Sequence, residues 1–229
     1  MANFLPEPLA RRDGLGRRIT LGAAAVAAIA LLTGATSTGT IGEGADKITW
    51  SARDWKMNYK TNVMHLSGDV KIVRGVRDDL SVVADEAEAT GTSKDFKNSH
   101  WVFTGKVHVR TESQGDLRAD RTTLEIVNGA LASAHATGSP AQFEQTQSKN
   151  GSVAQGHANI ADYDVVAGTV KLTGAPWLSY ANGQNIVNAA SITYNVREQE
   201  VQGKGDSGGE RAHMTVTPKP DTNAGTGKP

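Results

Sequence analysis

Two short alternating stretches joined by a Ser/Thr-Gly pair occur four times in the chain, and this repeat restricts the possible folds more than any other feature. The copies are MHLSGDVKIV (64–73), WVFTGKVHV (101–109), AHATGSPAQF (134–143) and VKLTGAPWL (170–178). Their glycines stand at 68, 105, 138 and 174, which gives spacings of 37, 33 and 36 residues. A nearly constant period of this size indicates a stack of similar supersecondary units. Alternation predicts β-strands, and a glycine inside a strand predicts a bend or bulge.

Each repeat continues with a second half that is polar at first and then alternates. In DLRADRTTLEI (116–126) the alternation slips phase between Leu117 and Leu124, as a bulge or corner requires. The segment SVVADEAEA (81–89) fits either a strand or one or two helical turns, and the sequence does not decide between them. A glycine in the middle of each unit lets the strands bend sharply, so we expect an all-β fold in which the sheet curls into a jelly roll.

Composition excludes several classes of protein and site. Lys+Arg and Asp+Glu both number 24, so the chain lacks the basic field that nucleic-acid binding uses. It has no cysteine, which excludes disulfides, thiol nucleophiles and zinc sites built on cysteine. With 5% aromatic residues and 25 glycines, the chain is expected to form a thin or extended core.

The N-terminus carries an export signal. RRDGLGRR (11–18) precedes 24 uncharged residues, 19–42, whose apolar part of 14 residues, 19–32, suits a signal peptide. Cleavage after Ala35 is the first expectation, and an uncleaved anchor reaching Gly42 is the alternative. The sequence therefore divides into a signal peptide or single transmembrane anchor (1–42), one β domain (43–218) and a polar tail expected to be disordered (219–229).

Catalytic motifs are not found in the sequence. The six histidines are scattered and form no His-x-x-x-His, and no nucleophile elbow, P-loop or dinucleotide fingerprint occurs. We therefore expect no catalytic residue, no metal ion and no cofactor. Lys and Arg near the unit ends, among them Arg110 and Arg118, are most simply a solvated face, and contact with the phosphate groups of an amphiphile is the minority alternative.

The apolar face of the repeat is filled thinly. Its positions often hold Gly, Ala and Val where a closed core favours Leu, Ile and Phe. For any single residue, burial in an ordinary core is the simplest interpretation. Two curved sheets lined in this way could nevertheless leave an open seam between them.

Several ordered segments resemble the LptA/OstA family of periplasmic lipopolysaccharide-transport proteins. They are ITWSARDWKMNYKTNVMHLSGDVKIV (48–73), GSPAQFEQ (138–145), QGHA (155–158), VKLTGAPWLSY (170–180) and ITYNVREQEVQG (192–203). The resemblance implies a twisted, open β-jelly roll built of repeated short antiparallel strands. It implies that the chain is not an enzyme but a periplasmic bridge protein, which carries lipopolysaccharide from the inner to the outer membrane through an apolar groove.

The resemblance also implies which residues and partners are involved. Lipid A acyl chains would lie between the two sheets, with Ile48, Trp50 and Phe143 matching groove positions of the family. Alternation alone adds further groove residues: Leu66, Val70, Ile72, Trp101, Phe103, Val107, Val109, Leu172, Ile192 and Tyr194. The implied partners are lipopolysaccharide, an LptC-like component at the inner membrane and an LptD-like component at the outer membrane.

Family members pair end to end through edge strands, which implies a head-to-tail homo-oligomer. Residues 47–52 and 211–218 are the candidate edges here. Two alternatives stay open: an LptC-like component anchored in the inner membrane that accepts lipopolysaccharide from the ABC transporter, and a structural β-repeat protein of the envelope with a closed core. A third, an envelope glycan hydrolase, would need two carboxylates that face each other across a cleft, and the sequence gives no pair to nominate.

Overall fold

A computed structural model describes residues 36–42, 47–75, 80–92, 96–111, 115–146, 153–183, 185–206, 208–209 and 211–217. Within these ranges the chain forms strands only. They are β1 (Ser37–Ile41), β2 (Ile48–Ala52), β3 (Asp54–Asn58), β4 (Val63–Arg74), β5 (Leu80–Gly91), β6 (Ser99–Thr111), β7 (Gly115–Val127), β8 (Ala130–Thr146), β9 (Val153–Asp164), β10 (Thr169–Thr173), β11 (Trp177–Tyr180), β12 (Asn185–Asn188), β13 (Ser191–Asn195), β14 (Glu200–Lys204) and β15 (His213–Val216).

The long strands β4 to β9 are each divided by a break in register, and the breaks line up across the sheet. They fall between Ser67 and Val70 in β4 and between Thr104 and Val107 in β6, for example, and again between Thr137 and Ala141 in β8. The two parts of such a strand can pair with different neighbours: β4 pairs with β3 before the break and with β2 after it. The antiparallel sheet is thereby folded into two halves, which confirms the all-β, open jelly-roll prediction.

We name the two halves by their strands. Half-sheet one contains β3, β10, β13 and β14 with residues 63–67, 86–91, 99–104, 121–127, 130–137 and 160–164 of the long strands. Half-sheet two contains β1, β2, β11, β12 and β15 with residues 70–74, 80–84, 107–111, 115–119, 141–146 and 153–158. Apolar side chains from both halves meet between them.

The repeated glycines explain the bends at three of the four positions. Gly68, Gly105 and Gly174 have φ values of 75°, 79° and 76°, a region that side chains other than glycine rarely adopt. At Gly105 a Cβ atom would also lie 2.4 Å from the Asp85 carboxylate of the neighbouring strand, so the glycine accepts a close approach as well as a bend. Gly138 has no positive φ, although the register breaks beside it.

The structure decides two points that the sequence left open, and it corrects one expectation. Residues 81–89 are strand, with Ala87 and Ala89 buried and Glu86 and Glu88 exposed. The phase slip in 116–126 is a break in register between Arg118 and Arg121. The expectation that 47–52 forms an edge is wrong, because β1 pairs along the outer side of β2. Residues 1–35 and 218–229 lie outside the described residues, which include none of the predicted tail.

The interior between the half-sheets consists of two apolar clusters. The first cluster is built from β2 and β4 to β8 and contains Trp50, Phe96, Trp101 and Phe103. Trp101 stacks on Phe103 with ring centroids 5.9 Å apart, and its indole N–H donates to Ser99 Oγ at 3.0 Å. The second cluster is built from β7 to β13 and is rich in alanine. Buried apolar surface in both clusters holds the half-sheets together.

Candidate functional site: an apolar cleft between the half-sheets

An apolar cleft lies where the two clusters meet. Leu117 of half-sheet two and Tyr163 of half-sheet one pack against both clusters and line it. The cleft encloses about 80 Å³ of free space, within an outline of about 680 Å³ that includes open solvent. The other apolar side chains of its wall are Val109, Leu124, Leu131, Ala134, Phe143, Ala161, Val170 and Val196.

The cleft opens on the side of the molecule opposite the bends. Its lining includes Thr111, Gly115 and Gln145 of half-sheet two, and Leu131 and Val196 of half-sheet one. All of these lie at or next to the strand ends that are farthest from the register breaks. The half-sheets therefore separate along their free rims, while the bends keep them joined along the other side.

Small residues make up much of the second cluster, which borders the cleft. On the inner face Ala136 is paired with Ala161, and Ala141 with Ala158. Of these four alanines only Ala161 lies on the wall of the cleft, and the other three are 1% exposed or less. Alanine accounts for six of the twelve buried residues of the second cluster.

The Phe143 ring is held in place by a glycine on the next strand. Gly156 is its cross-strand partner, and a Cβ atom there would lie 2.5 Å from the ring and 2.8 Å from the carbonyl oxygen of Trp177. An alanine at this position would push the ring away from β9. Gly156 therefore lets Phe143 lie flat against the strand, where it forms part of the cleft wall.

Polar groups lie at the rim of the cleft, and they differ in burial and in hydrogen bonding. Burial raises the pKa of the Tyr163 phenol above 10.0; Arg197 opposes this shift and Asp164 adds to it. On the opposite rim the Asp116 carboxylate accepts a hydrogen bond from His108 Nε2 at 2.6 Å. An amphiphile could thus place apolar chains inside the cleft and polar groups at its rim.

The predicted groove residues all lie between the half-sheets, but only two of them line the cleft. These two are Val109 and Phe143. The others are 5% exposed or less and pack inside the clusters: Ile48, Trp50, Leu66, Val70, Ile72, Trp101, Phe103 and Val107 in the first, and Leu172, Ile192 and Tyr194 in the second.

Sequence reasoning did not nominate most of the cleft wall. Leu117 and Leu124 were noticed only for their phase slip, and Leu131 and Tyr163 were not singled out. Alternation does place Val170 on the same face as Leu172, so this signal was available. The cleft brings together residues of both half-sheets. Which residues meet there depends on the register on each side of the breaks, and the sequence does not show that register.

The described residues contain no group of three or more side chains suited to hold a metal ion. Within the same ranges no helix is long and apolar enough to cross a membrane.

Residues 81–200 match the family model described as LptA/(LptD N-terminal domain) LPS transport protein. The chain belongs to this family. Two of its relatives are the lipopolysaccharide export system proteins LptA of Escherichia coli K12 and of Shigella flexneri, each 31% identical over 130 residues. That region is 53% of this chain and 64% of each relative, so the chain spans less than two thirds of their length.

A solved structure supports the fold independently. It is the crystal structure of LptH, the LptA-homologous periplasmic component of the lipopolysaccharide transport device of Pseudomonas aeruginosa. The two chains superpose with a TM-score of 0.50 at 22% identity, over 61% of this chain and 95% of LptH. The cleft wall, from Val109 to Val196, falls entirely within the residues that the family model matches.

Proposed function

We propose that this protein carries lipopolysaccharide from the inner to the outer membrane, as a periplasmic bridge that binds the lipid without catalysis. The observation that carries the proposal is the apolar cleft between the half-sheets, in a chain of a lipopolysaccharide-transport family. Each buried methylene stabilises a complex by about 0.8 kcal/mol. An apolar wall can therefore hold acyl chains of lipid A without specific polar contacts.

Binding is proposed to centre on the cleft, with Val109 and Phe143 in contact with the acyl chains. The remaining predicted groove residues are proposed as a closed continuation of the same walls. In the structure they pack against one another, so they can contact lipid only where the half-sheets separate. Separation of the half-sheets along these residues would let the lipid move from the cleft along the rest of the interior.

The partners are proposed from the strand edges. Among the described strands, β1 and β3 each pair on one side only at one end of the molecule, and β14 and β15 do so at the other. Such edges can add a strand from a neighbouring chain. We propose that they join copies head to tail and connect the bridge to an LptC-like component at the inner membrane and an LptD-like component at the outer membrane.

Export to the periplasm is proposed with cleavage after Ala35. The first described strand begins at Ser37, and its pairing with β2 uses residues that the longer membrane anchor, up to Gly42, would need. Mass spectrometry of protein from the cell envelope tests this. A mature start at Thr36 supports the periplasmic form, and an intact Met1 supports the LptC-like, anchored form.

The sealed first cluster favours one second candidate, a structural envelope protein that does not bind lipid. Its aromatic rings are packed against each other, Phe96 on Trp101 and Trp101 on Phe103. This candidate predicts that purified protein does not bind lipopolysaccharide at all.

The experiment that separates the two candidates measures lipopolysaccharide binding to the protein and to two variants. Leu131→Glu places a charge on the cleft wall, at a half-buried position where folding tolerates it better than in a sealed core. Val83→Glu is the matched control, since Val83 is exposed on the outer face. We expect a loss of affinity of at least tenfold for Leu131→Glu, about 1.4 kcal/mol, and none for Val83→Glu. Equal binding by all three proteins would contradict the proposal.

A further inference from the structure

A shallow polar groove crosses the outer face of half-sheet two, on the other side of the sheet from the cleft. One row of cross-strand partners forms its floor: Arg118 in β7, Gln142 in β8, His157 in β9 and Trp177 in β11. Neighbouring strands are about 4.8 Å apart, so the row extends over about 14 Å. The open space above it is about 470 Å³.

An aromatic platform occupies one end of this groove. The His157 imidazole and the Trp177 indole are stacked with ring centroids 5.3 Å apart and planes 17° from parallel. Both side chains are partly exposed, although a tryptophan usually gains by burial. The platform therefore offers a flat apolar surface on an otherwise polar face.

Hydrogen-bonding side chains surround the platform. Gln142 and Gln155 each offer an amide donor and acceptor, and Glu144 offers a carboxylate acceptor. Gln142, Glu144 and Gln155 are exposed. A flat apolar surface bordered by donors and acceptors fits a sugar ring, whose C–H face can stack while its hydroxyl groups form hydrogen bonds.

Cationic side chains at the other end add a preference for acidic sugars. Arg110 and Arg118 each lie 3.5 Å from the Asp116 carboxylate, which also bonds to His108. Their side chains are 66% and 60% exposed, so most of their N–H donors face solvent. Arginine forms paired hydrogen bonds with carboxylate or phosphate groups, which supplies the charge recognition.

Other classes of ligand fit this groove less well. A small free anion would use only the arginines and would leave the stacked rings and the amide side chains without a partner. A peptide strand needs a free sheet edge, whereas β7, β8 and β9 are paired on both sides. Nucleic acid needs a basic field, and the chain has no net charge. An acidic saccharide agrees with all of these observations.

The groove is continuous with the cleft at the rim of half-sheet two. Asp116, Phe143 and Glu144 contribute to the walls of both. An amphiphile whose acyl chains occupy the cleft could therefore fold its head group over the rim onto the outer face. We infer that this groove binds the acidic saccharide of the lipopolysaccharide that mild acid separates from lipid A, an inference that rests on the proposed function of the cleft.

The test compares three probes: intact lipopolysaccharide, the water-soluble saccharide released from it by mild acid, and the remaining lipid A. Two variants alter the groove, Arg118→Ala at an exposed side chain and Trp177→Ala at the platform. Arg121→Ala is the control, because Arg121 lies on the same strand but on the outer face of half-sheet one. Circular dichroism checks that each variant is folded.

We expect Arg118→Ala and Trp177→Ala to weaken binding of intact lipopolysaccharide about tenfold, to abolish the weaker binding of the free saccharide, and to leave lipid A binding unchanged. Unchanged binding of lipopolysaccharide and saccharide in both folded variants would overturn the inference while the cleft proposal stands. Equal losses for lipid A and lipopolysaccharide would also overturn it, because the groove would then act through the cleft.

The two proposals fail in different ways. If the unaltered protein binds neither lipid A nor lipopolysaccharide, the proposed function of the cleft is wrong. If it binds the saccharide alone, and Arg118→Ala loses that binding, the groove recognises a free glycan and the inference that it serves an amphiphile is overturned. Arg121→Ala should bind every probe as the unaltered protein does. Weaker binding by this variant would show that removal of any positive surface charge lowers the affinity.

Discussion

The two core clusters differ in residue types, since the first contains four buried aromatic residues and half of the buried residues of the second are alanine. In the first cluster small residues stand opposite aromatic ones: Ala87 is paired with Phe103, and Ala89 with Trp101. In the second cluster Ala136 is paired with Ala161, a small residue with a small one. Pairs of small and large residues supply more apolar volume than pairs of alanines. The two clusters therefore differ in the side-chain volume that each supplies.

This comparison also gives the two regions different roles. The aromatic cluster contributes mainly to stability, because its rings bury large areas and contact each other. The alanine-rich cluster supplies less packing and more accessible apolar surface. Variants in the first cluster should thus change stability, and variants at the cleft should change binding.

The largest effect is expected from Phe103→Ala in the first cluster. The ring is 1% exposed and stacks on Trp101, so its removal leaves a large cavity. We expect the free energy of unfolding to fall by about 3–5 kcal/mol, measured by urea denaturation. The matched substitution Phe143→Ala affects a partly exposed ring and should cost much less. Equal losses would show that the two regions are packed alike.

A pair of identical substitutions separates packing from binding. Ala87→Leu adds volume opposite Phe103, where we expect a loss of about 1–3 kcal/mol in unfolding free energy and no change in lipid affinity. Ala161→Leu adds the same volume at the cleft wall, where there is room. It should leave stability nearly unchanged and weaken lipopolysaccharide binding. The comparison breaks down if Ala161→Leu is the more destabilising of the two.

The smallest effect is expected from the titration of Tyr163. Its pKa is raised in the folded protein, chiefly by burial, so folding favours the protonated phenol. The stabilisation is present below pH 10, the ordinary pKa of tyrosine, and is lost as pH rises through the folded pKa. Tyr163→Phe should reduce the loss of stability above pH 10, measured by thermal melting at several pH values.

Lipid should raise the pKa of Tyr163 further, because acyl chains in the cleft would bury the phenol more deeply. The difference in absorbance titration between the protein and Tyr163→Phe isolates this one phenol. A difference curve that does not move when lipopolysaccharide is added would place the lipid elsewhere.

The sequence predicted the strands, most of the bends and the family, because these depend on local patterns. Alternation identified the inner face, and three of the four repeated glycines have the positive φ that a bend required. The edge strand was predicted wrongly because β1, Ser37–Ile41, was assigned to the N-terminal segment, so β2 seemed to have no outer neighbour.

The cleft itself could not be predicted from local patterns. It depends on Phe143 lying beside Leu117 and over Gly156, and both contacts follow from registers that shift at the breaks. A shift of one residue in a strand exchanges its two faces, so the sequence cannot show which residues meet. For the same reason Trp101 and Phe103 were expected in the groove wall but lie in the sealed cluster.

Photocrosslinking in cells that make lipopolysaccharide tests most directly whether the cleft holds the lipid. A photoreactive residue is placed at Leu117 and Leu131 on the cleft wall, at Phe103 in the sealed cluster and at Val83 on the outer face. We predict crosslinks to lipopolysaccharide at Leu117 and Leu131, and none at Val83. Crosslinks at Phe103 with none at either cleft position would contradict the account.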